Sequence, residues 1–132
     1  RAIKAEKARE QKYASEVTTL ANTCSKALTN IGEFLGDNPY PPLWTDQEKL
    51  NLAASMVTLQ LAYGDAQNFD VPAKYTDAHN SLLAGLKKYS DSMTLMAEGI
   101  DSLDAGTLTA ATDLLNEANV NISDATTKIL DS

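Results

Sequence analysis

Nine residues constrain this chain more than anything else in it. Tyr75, His79, Leu82, Leu86, Tyr89, Met93, Met96, Ile100 and Leu103 follow one another at alternating steps of four and three. At about 3.6 residues per turn, that stepping returns every one of them to a single stripe of a helix. A stripe sustained for so long faces a partner helix along its whole length. The pattern demands helices packed side by side, and it asks for no particular chemistry.

The same stepping recurs elsewhere. A first helix is predicted over about Ala2–Leu35, with Tyr13, Val17, Leu20, Cys24, Ala27, Ile31 and Phe34 on its stripe. Gly36-Asp37-Asn38-Pro39 is expected to stop it, with the glycine as C-terminal cap and the proline unable to continue. A second helix is predicted over about Asp46–Ala66. Thr45 and Glu48 form a capping box at its start, each side chain bonding the other's backbone amide. Its apolar residues make two stripes, Leu50, Ala53, Val57, Leu61 and Leu52, Met56, Leu59, Tyr63. So wide a face implies contact with more than one neighbour. A third helix is predicted from Pro72 to Leu103, the proline in the first turn, where its missing N–H costs nothing. Asp104 then reads as an N-cap. A fourth helix follows, with Leu108, Ala111, Leu115, Ala118, Ile122, Ala125 and Ile129 in line.

Short connections favour antiparallel neighbours, so the expected fold is an all-α, up-down-up-down four-helix bundle. A length of 132 residues suits one such domain. Residues 13–132 are assigned to the bundle, and residues 1–12 to a charged stalk that extends or frays from the first helix. The predicted third helix is about eleven residues longer than the second, roughly 16 Å of uncovered seam. The proline-rich connection Gly36–Trp44, with Pro39, Pro41 and Pro42, is the candidate cover. Tyr40, Leu43 and Trp44 are expected to lie over Ile31, Phe34, Ile100, Leu103 and Leu108. Gly85 and Gly99 interrupt the third helix at a cost of about 1 kcal/mol each relative to alanine, which points to close helix approach there.

Charge excludes one class of partner. The chain carries −7, and the first twelve residues hold five bases against two acids. The remaining body is strongly acidic and unsuited to nucleic acid, which requires a basic surface. The basic start suits either a solvated helix end or the neighbourhood of an anionic membrane. No run is long enough to span a bilayer and no signal peptide is visible. Because the chain opens on Arg1, it is expected to be part of a longer one.

Candidate chemistry is sparse. His79 is the sole histidine. The Glu-x-x-His spacing of metal sites in bundles is missing, since its nearest acid, Asp77, falls on another face. His79 and Met93 lie on one helix about 21 Å apart at helical rise, too far to ligate one haem iron. The surroundings of His79 lack the lysine and glycine that follow a phosphorylated histidine, so a core-edge role is preferred. Cys24, the only cysteine, reads as a small core residue, and no serine sits in a nucleophile motif. Asp101 and Asp104 near a turn make a weak calcium candidate. No cofactor or metal is expected, and no catalytic residue is assigned. The candidate interaction surface is Tyr40, Pro41, Pro42 and Trp44, because aromatic anchors dominate binding hot spots. Their plainer role is to cap the bundle end.

Three segments carry a resemblance: Tyr13–Leu35 (YASEVTTLANTCSKALTNIGEFL), Val71–Tyr89 (VPAKYTDAHNSLLAGLKKY) and Ala97–Ile129, the last with its Gly-Ile-Asp-x-Leu-Asp turn. The chain resembles a poorly characterised group of helical-bundle domains from Gram-positive bacterial surface lipoproteins. The resemblance implies an extracytoplasmic bundle tethered through a lipidated cysteine upstream of Arg1, with a protein or cell-envelope partner. It implies no catalytic or binding residues. The function expected is a non-enzymatic structural or interaction module. The alternative is a sensor or solute-binding bundle with a pocket where the proline-rich connection meets Gly99 and Gly106.

Overall fold

The computed structural model describes residues 2–130. Arg1, the first base of the expected stalk, and Ser132, the end of the expected bundle, lie outside them. The fold is an all-α, up-down-up-down four-helix bundle with a long first helix. Its helices are α1 (Ala2–Asp37), α2 (Asp46–Gln67), α3 (Thr76–Ser102) and α4 (Ala105–Leu130), with short 3-10 turns at Pro41–Leu43 and Ala73–Tyr75. The stripes of α1, α3 and α4 supply most of the core. Tyr13, Val17, Cys24, Ile31, Leu82, Leu86, Met93, Ala118 and Ile129 are all buried.

Residues 3–8 of α1 are exposed on every side, and α1 is first tied down at Arg9 and Glu10. The Arg9 guanidinium grips Asp70 with two parallel bonds, 2.8 and 2.7 Å, and also reaches the Val71 carbonyl. Lys74 pairs with Glu10 at 3.5 Å. These contacts fasten α1 to the connection between α2 and α3. Being exposed, they contribute modestly to stability.

The helix ends follow their capping chemistry, with two corrections. The Thr45 and Glu48 capping box forms in both directions. Asp104 caps α4, its carboxylate accepting from the Gly106 amide at 2.9 Å. Gly36, however, does not end α1. The helix runs on to Asp37, and Asn38 closes it by directing both its backbone N–H and its side-chain amide at the Phe34 carbonyl. The left-handed cap appears instead at Leu103, with φ 55°, at the end of α3. There the Asp104 amide bonds back to the Gly99 carbonyl, a Schellman closure that ordinarily employs glycine. Leu103 is thereby turned out of the seam and is 57% exposed.

The start of the third helix also differs from expectation. Pro72 and the following residues make a 3-10 turn, with the Tyr75 amide bonded to the Pro72 carbonyl. The tighter turn accompanies a Tyr75 ring stacked on Tyr13, centroids 5.4 Å apart. Thus α3 exceeds α2 by only five residues (27 against 22). The uncovered length is about 7.5 Å rather than 16 Å.

The α3–α4 pair makes the most intimate helix contact, whereas α1 meets α4 sparsely. Glycine explains the closeness. A Cβ added at Gly85 would stand 2.5 Å from Ile122 Cγ1 and 3.1 Å from the Ala118 carbonyl oxygen. One at Gly99 would stand 2.8 Å from two Leu108 side-chain carbons. Ala111, Ala118 and Ala125 on α4 are fully buried against this face. Ser92, buried among them, donates to the Ala111 carbonyl at 2.7 Å, and Tyr89 donates to the Asn119 side chain.

Candidate interaction surface

The proline-rich connection folds over the α2 N-terminal end of the bundle. Trp44 is only 8% exposed. Its indole N–H donates to the Asn38 carbonyl at 2.9 Å, and its ring meets Phe34 edge-to-face at 4.8 Å. Trp44 is therefore the cap of this end. Its two expected companions behave differently: Leu43 and Tyr40 stand largely in solvent, so neither closes the seam. Pro41 is half-buried and Pro42 exposed. The geometry is local in origin. The 3-10 turn at Pro41–Leu43 lets the Trp44 N–H bond the Pro41 carbonyl, which aims the indole inward and the Leu43 side chain outward.

Two apolar clefts flank this turn. One, of about 420 Å³, lies towards α2 and α3 and is lined by Pro42, Trp44, Leu52, Met56 and Ile100, with Lys49 and Asp101 as its charged members. The other, of about 450 Å³, runs between Leu35, Tyr40, Met96 and Leu108. Gly99, expected to border a pocket, does not: the space beside it is filled by Leu108.

A larger departure lies on α2. Leu52, Met56, Leu59 and Ala62 face the core. The second stripe, expected to find its own neighbour, finds none. Leu50 is 64% exposed, Leu61 61% and Val57 46%, and Ala53 and Ala54 are exposed between them. At 100° per residue this stripe points directly away from the buried one. Nor is it relieved by charge: residues 50–64 contain no Asp, Glu, Lys or Arg. Between the two apolar stripes lie the uncharged polar residues Asn51, Ser55, Thr58 and Gln60.

The remaining candidates are fully engaged within the fold. His79 is buried, with its Nδ1 2.7 Å from the Tyr13 hydroxyl. A hydrogen bond with the Ala66 backbone favours its charged form. Burial holds the His79 pKa below the ordinary histidine value, the Ala66 bond opposing in part. Phe69 and Tyr75 complete an aromatic cluster around Tyr13. The Cys24 thiol is pushed up to about 11, by burial first and by the charge of Asp65 second, so its reactive thiolate is scarce at neutral pH. Both oxygens of Asp104 are occupied by its own turn. Among the described residues no group of three or more His, Cys, Asp or Glu is arranged to hold a metal ion, and no helix is long and apolar enough to cross a membrane.

No protein-family model, curated protein or solved structure matches this chain.

Proposed function

We propose that this chain is a non-enzymatic interaction module, carried outside the cytoplasm as the folded part of a surface lipoprotein. The observation that carries the reading is the outward face of α2, where Leu50, Ala54, Val57 and Leu61 lie in line with no charged residue between the first and the last. Interface centres are depleted of charge and enriched in large apolar side chains, and patches of this kind are uncommon on surfaces that meet only water. The lipoprotein context rests on the resemblance of Tyr13–Leu35, Val71–Tyr89 and Ala97–Ile129. It is supported by the basic, exposed start of α1, which suits a stalk leaving an anionic membrane. A photo-crosslinking amino acid in place of Val57, in the whole protein on living cells, tests the reading. A covalent adduct with a protein is expected. Its complete absence, with the protein present at the surface, would overturn the proposal.

A second reading is favoured by the clefts at the proline-rich end. At about 420 Å³, the one beside Trp44 falls in the size range of small-molecule sites. A bundle that takes an amphiphilic solute there, with Lys49 and Asp101 orienting its polar end, would melt at a higher temperature when the solute is added. A panel of metabolites and cell-wall fragments that leaves the melting temperature unchanged would remove this reading.

A further inference from the structure

The N-terminal end of α1 is fastened to the bundle through one buried side chain. Between Ile3 and Val17 only Tyr13 is buried. Its ring stacks on Tyr75 and meets Phe69 edge-to-face at 6.4 Å, and its hydroxyl lies 2.7 Å from His79 Nδ1. Phe69 also flanks the His79 ring, centroids 6.3 Å apart. The joint between α1, the α2–α3 connection and α3 is therefore an aromatic cluster with an ionisable ring inside it. The Arg9–Asp70 and Lys74–Glu10 pairs reach across its surface, where ion pairs hold weakly. Beyond the joint, Val17, Leu20, Cys24, Ala27 and Ile31 are buried in the core and keep the rest of α1 in place.

Among the described residues, no carboxylate is placed to balance a charge on that ring. The Tyr13 hydroxyl is neutral, pushed up to about 12 by burial first and by Tyr75 second. On α1, Glu6, Glu10 and Glu16 pair with Arg9, Lys74 and Lys12 respectively. In the connection, Asp70 is gripped by Arg9. Asp65 on α2 is exposed, as is Asp77 on the opposite side of α3 from His79. On α4, Asp124 pairs with Lys128. The ring's own partners are a phenol and the Ala66 backbone. A charged His79 is thus poorly solvated while the cluster is closed and becomes hydrated once it opens. We propose that the cluster is an acid-released latch: protonation of His79 uncouples the segment of α1 up to Tyr13 from the α2–α3 connection while the rest of the bundle stays folded. Detached, so short a piece of helix is unstable in water and frays. The ion pair over the joint does not respond in the same pH range, because its bond to Arg9 holds the Asp70 carboxyl below the ordinary carboxylate value. His79 is the only histidine, so a response in mildly acid solution has one source. The latch is independent of what the outer face of α2 binds.

Amide hydrogen exchange of the purified chain at about pH 7.5 and about pH 5.5, read by mass spectrometry and corrected for the intrinsic effect of pH on exchange, tests this. A histidine that titrates near about 6.5 when the joint is open, and stays neutral when it is closed, raises the opening equilibrium by up to about tenfold over that interval. The sign follows from the ring: opening is indifferent to pH above about 6.5 and increases as the pH falls below it. Protection across residues 9–16 and 66–79 is expected to drop by up to that factor, while amides at the α3–α4 contact around Gly99 keep theirs. In His79→Gln the drop is expected to vanish. Should that variant not fold, the His79 ring resonances of the parent chain serve instead, and they are expected to titrate in step with the loss of protection at residues 9–16. Protection that is the same at both pH values overturns the latch. So does a drop shared equally by all four helices, a drop that persists in H79Q, or a ring that titrates with no loosening of α1.

Discussion

The seam of α3 and the outer stripe of α2 share one spacing and meet opposite fates. Leu82, Leu86, Tyr89, Met93 and Met96 are buried, whereas Leu50, Val57 and Leu61 stand in solvent. The difference lies in what faces them. Against α3, the fourth helix offers Ala111, Ala118 and Ala125, and α3 itself gives way at Gly85 and Gly99, so the two backbones close on one another. Nothing among the described residues of this chain is shaped to receive the outer side of α2. Periodicity marks a face as apolar. A neighbour with complementary small and large residues is needed to bury it.

The largest test of this contrast is on α2 itself, where Leu59 and Leu61 are chemically identical and two residues apart. Leu59 is fully buried. Leu59→Ala is expected to cost about 2–5 kcal/mol in urea unfolding, from lost transfer energy plus a cavity. Leu61→Ala, measured at low protein concentration, is expected to stay within about 0.5 kcal/mol of the parent. Equal losses would erase the distinction between the faces.

Glycine substitutions probe the other side of the comparison. Gly85→Ala is expected to destabilise by about 1–3 kcal/mol, because the new methyl group meets Ile122 and the Ala118 backbone. Gly64→Ala, with nothing within 4 Å of the added carbon, is expected instead to gain up to about 1 kcal/mol from helix propensity. A stabilising Gly85→Ala would mean that the α3–α4 contact is looser than described.

A smaller effect sits where the seam ends. Leu103 adopts φ 55° at the cap of α3, a conformation costing a non-glycine residue about 1 kcal/mol. Leu103→Gly is expected to raise stability by up to that amount, less the little packing lost from an exposed side chain. A clear loss in thermal melting would show that the leucine side chain matters more than the backbone it strains.

The most subtle test concerns His79, the polar member of the buried stripe. Its folded pKa lies below the unfolded value of about 6.5, so the unfolded chain binds more protons as the pH falls. Stability is thus complete above about pH 6.5 and declines as the pH drops from there towards the folded pKa. The melting temperature is expected to fall between neutral and mildly acid pH. His79→Gln, whose side chain does not titrate, is expected to flatten that slope. An unchanged slope would place the pH response elsewhere.

Much of this could be read from residue order. The Thr45–Glu48 box, the Asp104 cap, three of the four buried stripes and the close approach at Gly85 and Gly99 all depend on contacts within a turn or on a regular period. The misreadings are equally particular. Gly36 looked like a cap because glycine commonly is one, yet Asn38 supplied two donors to the Phe34 carbonyl and the helix continued. The Ser92 bond to the Ala111 carbonyl had no signal in the sequence, since the acceptor is a backbone group on another helix. Of Tyr40, Leu43 and Trp44, expected to close the bundle end together, only Trp44 turned inward, because Asn38 and Phe34 hold its two ends.

Local chemistry was thus sufficient to establish that this chain makes four amphipathic helices and where most of them begin and end, because capping and periodicity act over a few residues. Which stripe of α2 goes inside, and that the other is left facing water, came only from packing. Burial belongs to a residue's neighbours in space, and the order of residues along a helix is the same whether or not a neighbour comes.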